Sequence, residues 1–367
     1  MKRMILTATV PGHIETFHLP LTRAMASRGW VVETASSGPV NDPSITTSHV
    51  VDWTRSPFSL KNVRAAQQLK VILEENEYDL VYCHTPVAAA ISRIVARSHR
   101  AQGTRVVYMG HGFHFFRGAP LSYWMTYFPV EWMLSFLTDD ILTINEEDFE
   151  RAGRRFHSHV HLTKGVGLDL ERFHAASDTP TQDIRIAEGI APNSAIVMFV
   201  GELSQRKNQD LLLRAASQAV NTGLQVDVVL VGDGPAKTQL EELALELGLA
   251  DRVHFLGRRS DIPQLLSQAD LVASPAIHEG LPQNVLEAMA MGRPVLASPI
   301  RGHVDLIEHG VNGFLTQSFD PEEWALAIKH ILSHPKLAAR VGRKASERAQ
   351  DFEVSKAVAE VVAILDR

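Results

Sequence analysis

The chain has 367 residues, of which 45% are hydrophobic and 21% charged, and a formal net charge of −6. That is enough apolar material for two cores of ordinary size, and it excludes an extensively disordered chain. The charge excludes a basic nucleic-acid binder, and the single cysteine, Cys83, excludes an internal disulfide framework. Cations slightly outnumber carboxylates over residues 1–165, where most of the 17 histidines also lie, whereas carboxylates dominate the remainder. The two halves are therefore expected to face different partners.

In chain order, Met4–Val10 reads as a strand, Pro11-Gly12-His13 as a turn, and Ile14, Phe17, Leu21 and Met25 as one helix face closed by Arg28-Gly29. Strands follow at Val31–Ser36, Leu80–Cys83, Arg105–Met109 and Ile141–Ile144. The alternation of strand and helix predicts a parallel sheet covered by helices. Residues 164–193, with Gly165, Gly167, Pro180 and Pro192 and little periodicity, read as a linker. The pattern then restarts, with strands at Ala195–Val200, Val226–Val231, Val253–Leu256, Leu271–Ser274 and Pro294–Ala297. Helices are expected over Gln209–Val220 and Pro235–Leu247, and from the capping signal Asp320-Pro321-Glu322-Glu323 to about His334. The expected fold is α/β: two doubly wound Rossmann-like domains, 1–165 and 166–349, facing across a cleft, with 350–367 returning to the first.

The densest chemical signal is His278-Glu279-Gly280-Leu281-Pro282-Gln283-Asn284-Val285-Leu286-Glu287, where a strand ends, a loop follows and a helix begins. Free amides at a helix start can hold a diphosphate, and flanking carboxylates can accept hydrogen bonds from sugar hydroxyls. Ordinary helix capping is the competing reading of the same glutamates. Upstream, Gly201-Glu202-Leu203-Ser204-Gln205-Arg206-Lys207 places two cations after a buried strand, suited to neutralising a leaving diphosphate or to forming a solvated charge pair. Gly232-Asp233-Gly234-Pro235 reads as a tight strand-to-helix turn, and no six-residue dinucleotide glycine pattern occurs.

In this order, Gly201…Lys207, Gly232–Pro235, Glu279-Gly280…Glu287-Ala288-Met289 and Asn312-Gly313-Phe314-Leu315 resemble glycosyltransferase family four, retaining enzymes of the GT-B fold. In the first half, Cys83–Pro86, His111–Phe116 and Ile144–Asp148 resemble its bacterial branch for exopolysaccharide and capsule assembly, and the likeness covers nearly the whole chain.

The resemblance implies a transfer from a nucleotide diphosphate sugar, with UDP the favoured nucleotide, to a polyprenyl-diphosphate-linked glycan. By position it places Gly12 at the donor phosphates, His111 beside the reacting sugar, and Arg206 and Lys207 on the diphosphate. Glu279 falls on the sugar hydroxyls and Glu287 on the ribose, with Gly201, Gly280 and Leu281 completing the donor site. Many members carry Arg directly after the glycine, where this chain has Glu202, so Arg206 is expected to compensate. The implied chemistry is front-face substitution with retention, the departing phosphate taking the acceptor proton.

No cofactor and no metal are expected. Asp139-Asp140 lacks the spacing of a metal-binding pair, and the alternating His157, His159 and His161 read as exposed strand residues rather than as ligands.

Residues 113–136 are crowded with aromatics, and Trp124, Tyr127, Phe128 and Trp132 fall on one helical face near Arg93, Arg97 and Arg100. Such a segment either fills the first core or meets an anionic membrane surface. The resemblance favours membrane contact, with His13, Phe113, Trp124 and Trp132 on the acceptor and membrane side. No run of about 18 apolar residues occurs. The expected protein is cytoplasmic, peripheral to the membrane and without nucleic-acid partners. Two rivals remain open: a sugar-nucleotide epimerase or hydrolase on the same fold, and a non-catalytic glycan- or membrane-binding protein.

Overall fold

The computed structural model describes residues 1–177 and 182–367, the side chains of 176 and 177 excepted. The chain divides into two units, one of Met1–Gly167 with Val354–Arg367 and the other of Leu168–Glu353. Pro180 of the expected linker lies outside the described residues. Residues 178, 179 and 181 lie outside them too, and on either side the helices Leu170–Ser177 and Ile184–Glu188 insert Phe173 and Ile184 into the core of the second unit.

The first unit is built on seven parallel strands: β1 (Arg3–Thr7), β2 (Val31–Ser36), β3 (Thr47–Val50), β4 (Leu80–Cys83), β5 (Arg105–Gly110), β6 (Asp140–Thr143) and β7 (His159–Leu162). Their spatial order is β3-β2-β1-β4-β5-β6-β7. The central strands are buried on both faces, which is why they read as unbroken apolar runs. β3 was not anticipated: Thr-Ser-His-Val is a half-exposed edge strand held by its register to β2. Winding reverses between β1 and β4, so the carboxyl ends of β1, β4 and β5 surround the switch point at which doubly wound sheets bind ligands.

The single helix expected after β1 is two, Pro11–Phe17 and Leu19–Ser27. Pro20 has no N–H to continue the first helix and starts the second instead. The break leaves His18 between them, buried and pointing inward. The final helix, Val354–Leu365, packs on Leu19–Ser27. It is fastened by Trp30 Nε1 donating to Asp366 and by Arg105 donating to the Ile364 carbonyl.

The second unit carries six parallel strands, β8 (Ala195–Val200), β9 (Val226–Val231), β10 (Val253–Gly257), β11 (Leu271–Ser274), β12 (Val295–Ala297) and β13 (Phe314–Leu315), in the order β10-β9-β8-β11-β12-β13. Its switch point lies between β8 and β11. Two apolar layers cover the sheet, one around Phe199, Leu212 and Trp324, the other around Met198, Val285 and Phe352. Among the described residues, no helix is long and apolar enough to cross a membrane.

Candidate active site

In the second unit the loops leaving β8, β9 and β11 interlock at the carboxyl edge of the sheet. Leu203 N–H donates to the Asp233 carbonyl and Ala236 N–H to the Leu203 carbonyl, while Ile277 N–H donates to the Arg206 carbonyl. The Gly232-Asp-Gly-Pro turn owes its glycines to this approach. Gly232 has φ +141°, and a Cβ there would fall 1.9 Å from the Gly201 carbonyl oxygen. No other residue fits.

This packing assembles a charged cluster from residues more than 70 positions apart. Lys207 Nζ and Arg206 Nη1 both lie 2.7 Å from Glu279 Oε1, and Arg206 also donates to the His278 carbonyl. Burial pushes the Glu279 carboxyl up, but Lys207 and Arg206 outweigh it and hold the group below its ordinary range. The two cations are not equivalent, because the Lys207 side chain is 11% exposed and that of Arg206 42%. Glu202 is exposed and takes no part in the cluster.

Four residues on, the helix Gln283–Ala290 begins at Pro282 with no side-chain cap, leaving its first amides available. On its first turn Asn284 is buried with both amide atoms unpartnered, a feature no motif reading singled out. One turn further, the Glu287 carboxylate has no hydrogen-bond partner among the described residues. Burial pushes its carboxyl up to about 7, against weaker pull from Arg172 and Lys207. Gly201, Gly280 and Leu281 all sit on the loops that frame this helix start. A larger cavity, about 630 Å³, opens at the opposite edge beside Ser194, Asp270 and Arg293, away from these groups.

In the first unit, His13, His111 and Thr85 line a cavity of about 230 Å³ together with Tyr108, Tyr127 and Glu131. His84 follows β4 and His111 follows β5, and both rings gather with those of His13 and His18. Burial drives His13 down to about 4 and His111 to about 3, and holds His18 and His84 well below the usual histidine range. All four are therefore neutral at physiological pH. Gly12 is exposed, and a Cβ there would meet nothing within 4 Å. Its fold does not demand glycine. Gly12→Val is thus expected to shift stability by no more than about 0.5 kcal/mol, while lowering affinity for a nucleotide sugar if phosphates come close. Thermal unfolding with and without UDP-sugar checks both.

Several expectations need correction. Phe113 is 3% exposed and, with Phe115, packs into the first core, so it presents no face to a membrane, although it also borders the cavity beside His13 and His111. The aromatic helix, Leu121–Ser135, divides: Trp124 and Phe128 lean on that core, whereas Trp132, Met125 and Met133 are exposed. Arg93 is fully buried, paired with Glu131 at 2.8 Å, and belongs to no surface stripe. Asp139 and Asp140 are engaged by Arg100 and Arg105, and His161 by Asp140 at 2.7 Å. His157 stacks on Phe136. Cys83 is a buried thiol pushed up to about 11.

The two units are parallel α/β sheets with a cation–carboxylate cluster at a helix start, and comparison with known proteins names the class. Residues 180–348 match the family described as Glycosyl transferases group 1, and residues 8–145 match Glycosyl transferase 4-like. EpsD of Bacillus subtilis (strain 168), which is named as a glycosyltransferase, is 36% identical over 99% of this chain and 96% of its own. An Escherichia coli UDP-Gal:alpha-D-GlcNAc-diphosphoundecaprenol alpha-1,3-galactosyltransferase is 28% identical over 80% of this chain and 78% of its own. In fold, the chain is similar to HepE of Anabaena solved with UDP, with TM-score 0.81, 24% identity and full coverage of both chains. The chain belongs to this glycosyltransferase family, and its fold is GT-B.

Proposed function

We propose that the enzyme is a retaining transferase that moves a sugar from a nucleotide diphosphate donor, UDP-sugar by preference, to a polyprenyl-diphosphate-linked glycan in surface polysaccharide assembly. The observation that carries this reading is the Lys207–Glu279–Arg206 cluster, with Lys207 and Glu279 buried, beside the uncapped start of Gln283–Ala290. Cations held in place before the reaction stabilise charge on a departing diphosphate without reorganising. Glu279, Gly280 and Leu281 then lie at the donor sugar and Glu287 at the ribose, with Gly201 and Gly12 leaving room for phosphate.

Front-face substitution follows from these roles. The bond from the anomeric carbon to the phosphate oxygen breaks, the acceptor oxygen bonds to the same face, and its proton passes to the leaving phosphate. His111 is assigned to the reacting sugar. Lys207 and Arg206 supply the charge that a hard divalent ion supplies elsewhere, so turnover is independent of added Mg²⁺ or Mn²⁺. The lipid-linked acceptor is favoured by the name of the E. coli relative and by the exposed apolar helix.

A panel of UDP- and GDP-sugars, incubated with and without polyprenyl-diphosphate-linked glycan, tests the reading. Lipid-linked product with the donor's anomeric configuration, from one donor only, supports it. Donor conversion without lipid favours the epimerase or hydrolase, and an inverted product rejects retention. Membrane contact has its own test. Met125 is 70% exposed and Trp132 39%, and each apolar side chain withdrawn from water contributes about 1.5–3 kcal/mol. The double substitution Met125→Glu/Trp132→Glu is therefore expected to reduce sedimentation with anionic vesicles at least about tenfold, leaving the fold intact by circular dichroism. Unchanged sedimentation would remove this helix from the membrane.

A further inference from the structure

We propose that His13, His18, His84 and His111 form a site for one transition-metal ion of the Zn²⁺ class, held by four imidazole nitrogens at the carboxyl edge of the first sheet. One ring nitrogen from each lies within 4.8 Å of the other three. The four arrive by separate routes. His13 stands on the helix after β1, His18 in the break that Pro20 imposes, His84 directly after β4 and His111 directly after β5.

Tetrahedral coordination with Zn–N of about 2.0–2.1 Å requires nitrogens about 3.3–3.4 Å apart. Two of the six separations are already there, His13 Nε2 to His18 Nε2 and His84 Nδ1 to His111 Nε2, each 3.2 Å. The remaining separations, up to 4.8 Å, must contract around a common centre on binding. Mutual hydrogen bonding explains the two short contacts but not the whole group. The Nε2 atom of His84 is buried without a partner, in a ring that has no exposure and sits 3.9 Å from the His18 ring. Such an orphan costs about 1–3 kcal/mol; ligation through His84 Nε2 relieves it at the expense of the 3.2 Å separation from His111, whereas ligation through Nδ1 keeps that separation and leaves Nε2 an N–H.

The donor set selects the ion. Imidazoles suit zinc, copper, nickel and cobalt, whereas magnesium, calcium and manganese favour oxygen. Four protein ligands close the coordination sphere, which is the arrangement of a structural ion rather than a reactive one. Its effect is to tie the segment after β1 to the ends of β4 and β5, fixing His111 through Nε2 and leaving its Nδ1 for other contacts. The site departs from the metal-free expectation of the sequence and does not depend on the transferase reading. Metal uptake is read without turnover, so failure of one leaves the other standing.

The test uses the full-length chain, tag-free and stripped with chelator, titrated with Co²⁺ and then Zn²⁺. One Co²⁺ per chain with the intense visible bands of four-coordinate cobalt, displaced by one Zn²⁺ and untouched by Mg²⁺, is expected. His18→Gln and His84→Gln should each lower affinity at least about 100-fold, and His159→Gln on the far edge strand should not. Should the buried variants fail to fold, His13→Gln, at the more accessible ligand, must still lose the bands. Absence of stoichiometric uptake by the wild-type chain, a weak six-coordinate spectrum, or uptake that survives these substitutions would overturn the proposal.

Discussion

Lys207→Ala is expected to lower the transfer rate about 10²–10³-fold, the largest loss of any single substitution in the second unit. The ammonium is nearly enclosed and fixed 2.7 Å from Glu279 Oε1, so its charge acts where water screens little. Removing it leaves the buried Glu279 carboxylate to the more exposed Arg206 alone, so unfolding must be measured beside turnover. Arg206→Ala, at a side chain that is far more exposed, should cost only about tenfold in rate by the same reasoning. On the proposed reading the buried lysine carries most of the charge and Arg206 assists. Rates at saturating donor decide it. A Lys207→Ala enzyme within tenfold of wild type would show that the diphosphate is neutralised elsewhere.

Glu287→Gln should stabilise the ligand-free protein while weakening donor binding. Partial burial, with no hydrogen bond to the carboxylate among the described residues, pushes the folded carboxyl from 4.5 up to about 7. Between those values the native chain holds a proton that the unfolded chain has released, so stability falls as pH rises through this window. At about 1.4 kcal/mol per pH unit, and allowing for the partly accessible side chain, the deficit is about 2–3 kcal/mol above pH 7. Glutamine has no such deficit. The variant should therefore melt about 4–10 °C higher at pH 8 and no higher below pH 4.5. If Glu287 accepts ribose hydroxyls, the KM for donor should rise about tenfold or more through a lost charge-assisted bond. Equal melting temperatures at pH 8 would mean that the carboxylate is already satisfied.

Most of this fold was legible because parallel strands buried on both faces leave an unmistakable trace. Val31–Ser36, Leu80–Cys83, Ala195–Val200, Val226–Val231 and Leu271–Ser274 were each bounded correctly from their apolar runs. What escaped were elements whose residues do not have to be apolar. β3 is an exposed edge, and β13 is two residues long. The helix break at His18 escaped because the apolar spacing of Ile14, Phe17, Leu21 and Met25 runs straight through it. The charged cluster was readable as types at the right places, Glu279 after one strand and Lys207 after another. Their contact was not, since it depends on two loops meeting across the neighbouring strands β8 and β11. The histidine group shows the same limit more sharply. His13, His84 and His111 each drew notice separately, but only the order β1-β4-β5 makes neighbours of them, and His18 carried no signal at all.

The return of the last helix to the first unit bears on how the protein is made. A ribosome finishes residues 1–167 long before it reaches Val354, with the whole of residues 168–353 in between. At typical synthesis rates that is a delay of roughly 10–40 s. During it the groove along Leu19–Ser27 that will receive Val354–Leu365 stays uncovered, and Arg105 lacks the carbonyl of Ile364. The second unit is contiguous and can close as soon as it emerges. The part of the chain that is born first is thus the last to be completed, and a nascent chain stalled before Val354 would carry a finished second unit on an unfinished first one.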